Sequence, residues 1–124
     1  MKKILISIRP EFVQSIIDGT KKFEYRTKVA KQDINSLIIY STYPEMKVVA
    51  EVEILKVLKL APKDLWEETK NKSGITKVFF NSYFKDRQVA YAYQLGKVNV
   101  YKKPKTLLEL GIKFAPQSFI YVQA

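Results

Sequence analysis

An ammonium, a carboxylate and a guanidinium stand close together in the run Gly19-Thr20-Lys21-Lys22-Phe23-Glu24-Tyr25-Arg26. Such a set can bind an anion, accept a hydrogen bond from an amine or, if the lysine pKa is lowered, move a proton. Past the glycine the pattern has period two: Phe23 and Tyr25 point one way, while Lys22, Glu24 and Arg26 point the other. Glu24 and Arg26 are then same-face neighbours about 7 Å apart along a strand, and Lys21 sits at the corner where its ammonium can swing over either. The same spacing also fits an exposed strand face with a loose ion pair worth about 0–1 kcal/mol. Both readings stand on spacing alone.

Composition narrows the chemistry. The 124 residues include no histidine and no cysteine. The usual general base near neutral pH, the thiolate nucleophile and the commonest zinc ligands are therefore absent. Catalysis would have to run on Lys, Glu, Asp, Tyr, Ser or Thr, and neither a metal site nor a cofactor is expected. The formal net charge of +10 favours a polyanionic partner, nucleic acid first, because each phosphate neutralised releases counterions. Solvated lysine as a solubility device is the plainer explanation of the same charge. With 47% apolar and 27% charged residues the chain reads as one globular domain over residues 1–124. Its apolar runs are too short for a membrane span, and the Met1-Lys2-Lys3-Ile4 start leads into strand-like alternation instead of a signal-peptide core. A cytoplasmic location is expected, and the oligomeric state is open.

The elements that must position the charged run are legible in order. Residues Lys3 to Ile8 alternate as a strand; Pro10 suits a first helical position, and Phe12, Val13, Ile16 and Ile17 recur at helical spacing up to Asp18. Gly19 then falls where the helix must end with a left-handed residue. Arg9, at the join, either faces the same opening as Lys21 or pairs with Glu11. Residues Thr27 to Ser36 read as a polar loop carrying Lys28 and Lys31, and Leu37 to Tyr40 as a buried strand ending in Ser41, Thr42 and Tyr43 before Pro44. Hydroxyls clustered there suit either a pocket or a local turn.

Lys47 to Leu60 predicts a strand so long that it must bend, and Pro62 to Thr69 a helix whose Trp66 packs against the core. Ser73-Gly74 breaks the chain before an aromatic helix, Ile75 to Phe84, expected to be mostly buried. Gln88 to Val100 alternates as a strand with a bend at Gly96, followed by the basic segment Tyr101-Lys102-Lys103-Pro104-Lys105, which reads as an exposed turn or a second phosphate-contacting patch. Thr106 to Glu109 fits a capping box closed by Gly111, and Ser118 to Val122 a last strand. About six strands and three or so short helices, one strand long enough to curl, predict an α+β domain built on a small β-barrel.

Read as Gly-x-Lys-x-x-Glu-x-Arg, residues Gly19, Lys21, Glu24 and Arg26 resemble the signature of the ASCH family, a branch of the PUA-like superfamily. The entry Ser7-Ile8-Arg9-Pro10-Glu11-Phe12, the strand ending Ile39-Tyr40-Ser41-Thr42-Tyr43-Pro44 and the closing Pro116-Gln117-Ser118-Phe119 are similar to the family in the same order. The resemblance implies a PUA-like barrel with a ligand cleft beside the central strand. Lys21, Glu24 and Arg26 would line it with Arg9, Ser118 and the Tyr40, Ser41 and Thr42 segment; Lys102 and Lys103 would be outlying contacts. It implies an RNA-binding module holding a nucleotide or modified base: Lys21 and Arg26 on phosphate or ribose oxygens, Glu24 accepting from an exocyclic amine, Tyr40 or Tyr43 stacking a base. The alternative is an enzyme in which Lys21 and Glu24 are catalytic, either a metal-independent ribonuclease or a nucleoside hydrolase resembling the N4-acetylcytidine amidohydrolases. In that last branch a threonine nucleophile occupies the position that Glu24 holds here.

Overall fold

A computed structural model describes residues 2–122; Met1, Gln123 and Ala124, at the ends of the expected domain, lie outside the described residues. The chain runs β1 (Lys2–Ile8), α1 (Pro10–Asp18), β2 (Phe23–Arg26), β3 (Ile34–Ser41), β4 (Lys47–Leu60), α2 (Pro62–Thr69), α3 (Lys77–Tyr83), β5 (Ala90–Lys105) and β6 (Phe119–Val122), with single 3-10 turns at Lys70–Lys72 and Leu108–Leu110. Local chemistry sets several boundaries. Pro10 opens α1, and Gly19 closes it in the left-handed region (φ 87°), its N–H donating to the Ile16 carbonyl. The capping box forms as expected: the Glu109 N–H donates to Thr106 Oγ1 (3.2 Å) and the Thr106 N–H to Glu109 Oε1 (3.2 Å).

The six strands form one sheet in the order β2-β5-β4-β3-β1-β6, with β1 and β3 parallel and the other neighbours antiparallel. The long β4 does bend: its pairing with β5 is interrupted between Val48 and Ala50, between Val52 and Ile54, and between Ile54 and Lys56. These irregularities raise the local twist and curl the sheet over a core of Ile4, Ile6, Leu37, Ile39, Val52 and Tyr93, against which α1 packs Val13 and Ile16. A second core lies where α2 and α3 meet β2 and β5, around Tyr25, Leu65, Phe80 and Phe84. Trp66 packs there against Phe80, as the amphipathic pattern predicts. The third core, Leu5, Tyr40 and Val48, belongs to the alternate positions of β1, β3 and β4, packed against Tyr101, Leu107 and Ile112.

This is the expected α+β architecture. The curl is barrel-like, but among the described residues no ladder joins the edge strands β2 and β6. The side chain of Arg26 spans the seam instead, donating from Nη2 to the Ser7 carbonyl on β1 (2.7 Å) and from Nη1 to Ser118 Oγ just before β6 (3.4 Å).

Three expectations are corrected. Ile34–Ser36, read as loop, is the start of β3, paired with β1. The basic segment 101–105 is not a turn but the end of β5, because pairing of Lys105 with Val48 on β4 overrides the turn character of lysine and proline. The aromatic helix is buried only through Phe80 and Phe84; Val78 is fully on the surface and Tyr83 is partly exposed. Replacing Gly19 with alanine should cost about 1–2 kcal/mol through backbone strain alone, since the nearest atom to the added Cβ would be a flexible lysine tip at 3.9 Å; urea unfolding measures it.

Candidate functional site

The corner after α1 is pinned from three sides. The Lys21 N–H donates to the Ser15 carbonyl (3.0 Å), the Lys22 N–H to the Lys72 carbonyl (2.8 Å), and the Leu95 N–H to the Lys22 carbonyl (2.9 Å). Lys21 therefore cannot turn outward: its side chain is only 2% exposed. Its stem runs beneath Gly74, where an added Cβ would stand 2.4 Å from Lys21 Cβ, so only glycine admits the lysine. The ammonium donates to the Ser73 carbonyl (2.8 Å) and lies 4.9 Å from the centre of the Tyr25 ring and 5.4 Å from that of Phe12.

Tyr25 is held as a platform by a second chain of bonds. Thr69 Oγ1 gives its one proton to the Leu65 carbonyl (2.7 Å), so in the 2.6 Å contact between the two hydroxyls Tyr25 is the donor. Burial pushes the Tyr25 phenol up to about 12, which keeps it neutral beneath the ammonium.

Glu24 and Arg26 form a buried ion pair, with Nη2 2.9 Å from Glu24 Oε2 and side-chain exposures of 8% and 11%. Nε donates to the same oxygen at 3.0 Å. Adding the bonds to Ser7 and Ser118, three of the five guanidinium protons are hydrogen-bonded within the protein, besides the ion-pair contact of Nη2 with Glu24. Arg26 is thus mainly a holder of Glu24 and of the seam, while Glu24 Oε1 keeps its capacity to accept.

These groups floor a cleft of about 170 Å³ lined by Ser7, Ile8, Arg9, Phe12, Lys21, Glu24, Tyr25, Arg26, Ile75, Phe79 and Tyr83. Phe12 meets Phe79 edge-on at 5.3 Å, and Phe79 stacks along Tyr83 at 6.4 Å, giving one aromatic wall. Both expectations for Arg9 hold: it pairs with Glu11 (2.8 Å) and lies over Phe12 and Phe79 at the rim. Burial pulls the Lys21 amine down from its ordinary 10.5 to about 8, with Arg26 pulling the same way and Glu24 opposing. The result is an acid–base group near neutral pH in a chain without histidine. Among the described residues no group of His, Cys, Asp or Glu is arranged to hold a metal ion.

Of the residues nominated from sequence, Lys21, Glu24, Arg26 and Arg9 line this cleft and Ser118 touches it through Arg26. The exposed-face reading of the Glu24–Arg26 pair is corrected by its burial. Tyr40 is buried in the third core with Leu5 and Val48, outside the cleft lining. Ser41 is fully buried, with Oγ lacking a hydrogen-bond partner, and Thr42 serves the turn, its N–H bonded to the Ile8 carbonyl and its carbonyl accepting from Glu45 and Met46. Lys102 and Lys103 are exposed on β5 and do not line the cleft. Sequence reasoning missed Phe12, Phe79, Ser73 and Gly74 as parts of the site. The Ser73-Gly74 break was the one available signal, and it carried no hint of its partner.

The sequence profile of the ASCH domain matches residues 6–108. The chain belongs to the ASCH family. Relatives of this ASCH chain include a Ureaplasma parvum protein named ATP synthase subunit alpha (27% identical over 97% of this chain and 15% of that protein), and one named large ribosomal subunit protein uL22 (28%, over 97% of this chain and 39% of that protein). A Zymomonas mobilis protein named ASCH domain-containing ribonuclease is 25% identical over 76% of this chain and 64% of its own length. The chain therefore spans less than two thirds of each of these relatives. The crystal structure of ASCH from Zymomonas mobilis superposes with a TM-score of 0.89 at 22% identity, covering 98% of this chain and 87% of that one, so the ASCH fold is shared.

Two outcomes follow from the site. Arg26→Ala should cost about 3–5 kcal/mol in chemical denaturation, since it leaves the Glu24 carboxylate buried and unpaired, and Arg26→Lys should recover part of that. For Lys21 the folded pKa lies below the unfolded one, so its desolvation cost is present in full below pH 8 and is relieved as pH rises from about 8 to 10.5. Against a Lys21→Met variant, the wild type should gain roughly 3 kcal/mol over that window, read from unfolding midpoints at successive pH values.

Proposed function

We propose that this ASCH domain, acting as one unit over residues 1–124 in the cytoplasm, binds RNA by taking a single nucleotide or modified base into the cleft. The observation that carries the reading is the meeting of a buried ammonium, a carboxylate with a spare acceptor and an aromatic wall in a hollow of about 170 Å³. A nucleotide offers a partner to each. Its phosphate or ribose oxygens take the Lys21 protons left free by Ser73, an exocyclic amine donates to Glu24 Oε1, and the base lies on Phe79 and Tyr83 in place of Tyr40. Arg9 meets a flanking phosphate at the rim, Arg26 and Ser118 keep Glu24 oriented, and Lys102 and Lys103 add outlying contacts. The net charge of +10 suits such a partner, and the ribonuclease name of the Zymomonas mobilis relative points to the same substrate.

The lowered Lys21 pKa favours a second reading, metal-independent RNA cleavage. At neutral pH about a tenth of the amines are free. Such an amine takes the proton of a ribose 2′-hydroxyl as that oxygen bonds to the adjacent phosphorus; the 5′-oxygen leaves with a proton from water, and a 2′,3′-cyclic phosphate remains. Glu24 and the cationic groups hold the phosphate and base in place. Amide hydrolysis of N4-acetylcytidine gains no support, because Glu24 stands where the nucleophile would be and is tied to Arg26.

Labelled single-stranded RNA at low salt with chelator tests both. Binding should be weakened at least tenfold by Lys21→Ala in a variant shown to be folded. Cyclic-phosphate fragments that this variant fails to produce would establish cleavage, and no binding of RNA or nucleosides would overturn the proposal.

A further inference from the structure

The strand register brings the ends of four strands into a row that begins at the cleft. Ile8, which lines the cleft beside Arg9, is paired with Ser41 at the end of β3; Ser41 is paired with Lys47 at the start of β4, and Val48 with Lys105 at the end of β5. The Thr42 N–H bonded to the Ile8 carbonyl (3.0 Å) holds the intervening turn against the rim, with Tyr43 80% exposed on it. At the far end, two steps along β4 (Val48 to Ala50) match five along β5 (Val100 to Lys105), so the Tyr101–Pro104 stretch arches out of the ladder and carries Lys102 and Lys103 on its exposed surface. Some basic groups elsewhere are ion-paired, as Lys3 with Glu51 and Lys70 with Glu67. Among the described residues no ion pair engages Lys47, Lys103 or Lys105. The acidic neighbours are Glu45 in the turn and Glu109, whose carboxylate is bonded to Thr106 and feels Lys47 and Lys103.

We propose that this row is an exit track for the RNA strand whose nucleotide occupies the cleft, with phosphates passing from Arg9 over the Thr42–Met46 turn to Lys47, Lys103 and Lys105. The inference rests on the cleft reading and adds a direction and a minimum ligand length. Three strand spacings are about 15 Å, the reach of about four stacked nucleotides at roughly 3.4 Å each. Tyr43, exposed midway, offers a base its ring. The occupant is a flexible single strand, since a row of lysines, Lys105 lying over the Tyr101 ring at 5.2 Å, with Tyr43 exposed beside them can follow a chain that stacks and bends.

The test compares a 5′-mononucleotide with a single-stranded RNA long enough to cover cleft and track, on wild type and on the double variant Lys47→Glu/Lys105→Glu. The longer RNA should lose at least tenfold in affinity, and its log–log salt dependence should become shallower by about 1–1.5 for two lost phosphate contacts. Mononucleotide affinity should be unchanged. Longer-RNA affinity and salt dependence that match the wild type, with mononucleotide binding intact, overturn the track and leave the cleft reading standing. Wild-type protein that binds the longer RNA but no mononucleotide, with no effect of Lys21→Ala, overturns the cleft reading and the track with it.

Discussion

The ion pair between Glu24 and Arg26 is where fold and site become one problem. Both charges are nearly out of water, a cost of several kcal/mol per ion that Coulomb attraction alone repays poorly. Geometry repays the rest: the guanidinium fork meets Glu24, the Ser7 carbonyl and the Ser118 hydroxyl at once. Those acceptors lie on the two margins of the curled sheet, so the same side chain that neutralises the carboxylate fastens a seam that, among the described residues, no backbone ladder closes. A carboxylate fixed in this way loses little entropy on meeting a ligand.

Lys21 depends on that pair. Its ammonium stands in an aromatic pocket where, among the described lining residues, the one carboxylate is already shared with Arg26, so burial lowers its pKa to about 8 and the charged form is less firmly held than in water. Ser73 and Gly74 complete the arrangement from a segment far away in the chain, one by its carbonyl and the other by lacking a side chain. Tyr25 contributes a neutral ring because burial raises its phenol pKa, and the phenol proton goes to Thr69 while Thr69 gives its own to Leu65. The cleft thus combines a tunable cation, a fixed acceptor and a flat apolar wall, which are the three features a nucleotide presents in reverse.

Much of the frame was legible in the sequence because its causes are local. Pro10 and Gly19 delimit α1 through their own φ preferences, Thr106 and Glu109 cap each other three residues apart, and β4 announces its bend by its length. The parity of Glu24 and Arg26 was equally plain, but their burial was not, since it depends on β1 and the residue before β6 closing over them. Tyr40 was misjudged for a related reason. Alternation says that it lies opposite Ile39, yet not which side of β3 faces the cleft, and the ring packs with Leu5 and Val48. The wall falls instead to Phe79 and Tyr83, on a helix whose docking against Phe12 no spacing encodes. Lysines and a proline in 101–105 look like a turn until β4 is there to pair with them.

The most direct measurement is the pKa of the Lys21 amine, followed by heteronuclear NMR of the side chain in the free protein and with a saturating 5′-mononucleotide. A value near 8 without ligand, moving upward when a phosphate settles beside the ammonium, is the expected result. A value near 10.5 that does not respond to nucleotide would contradict both the desolvated site and its ligand.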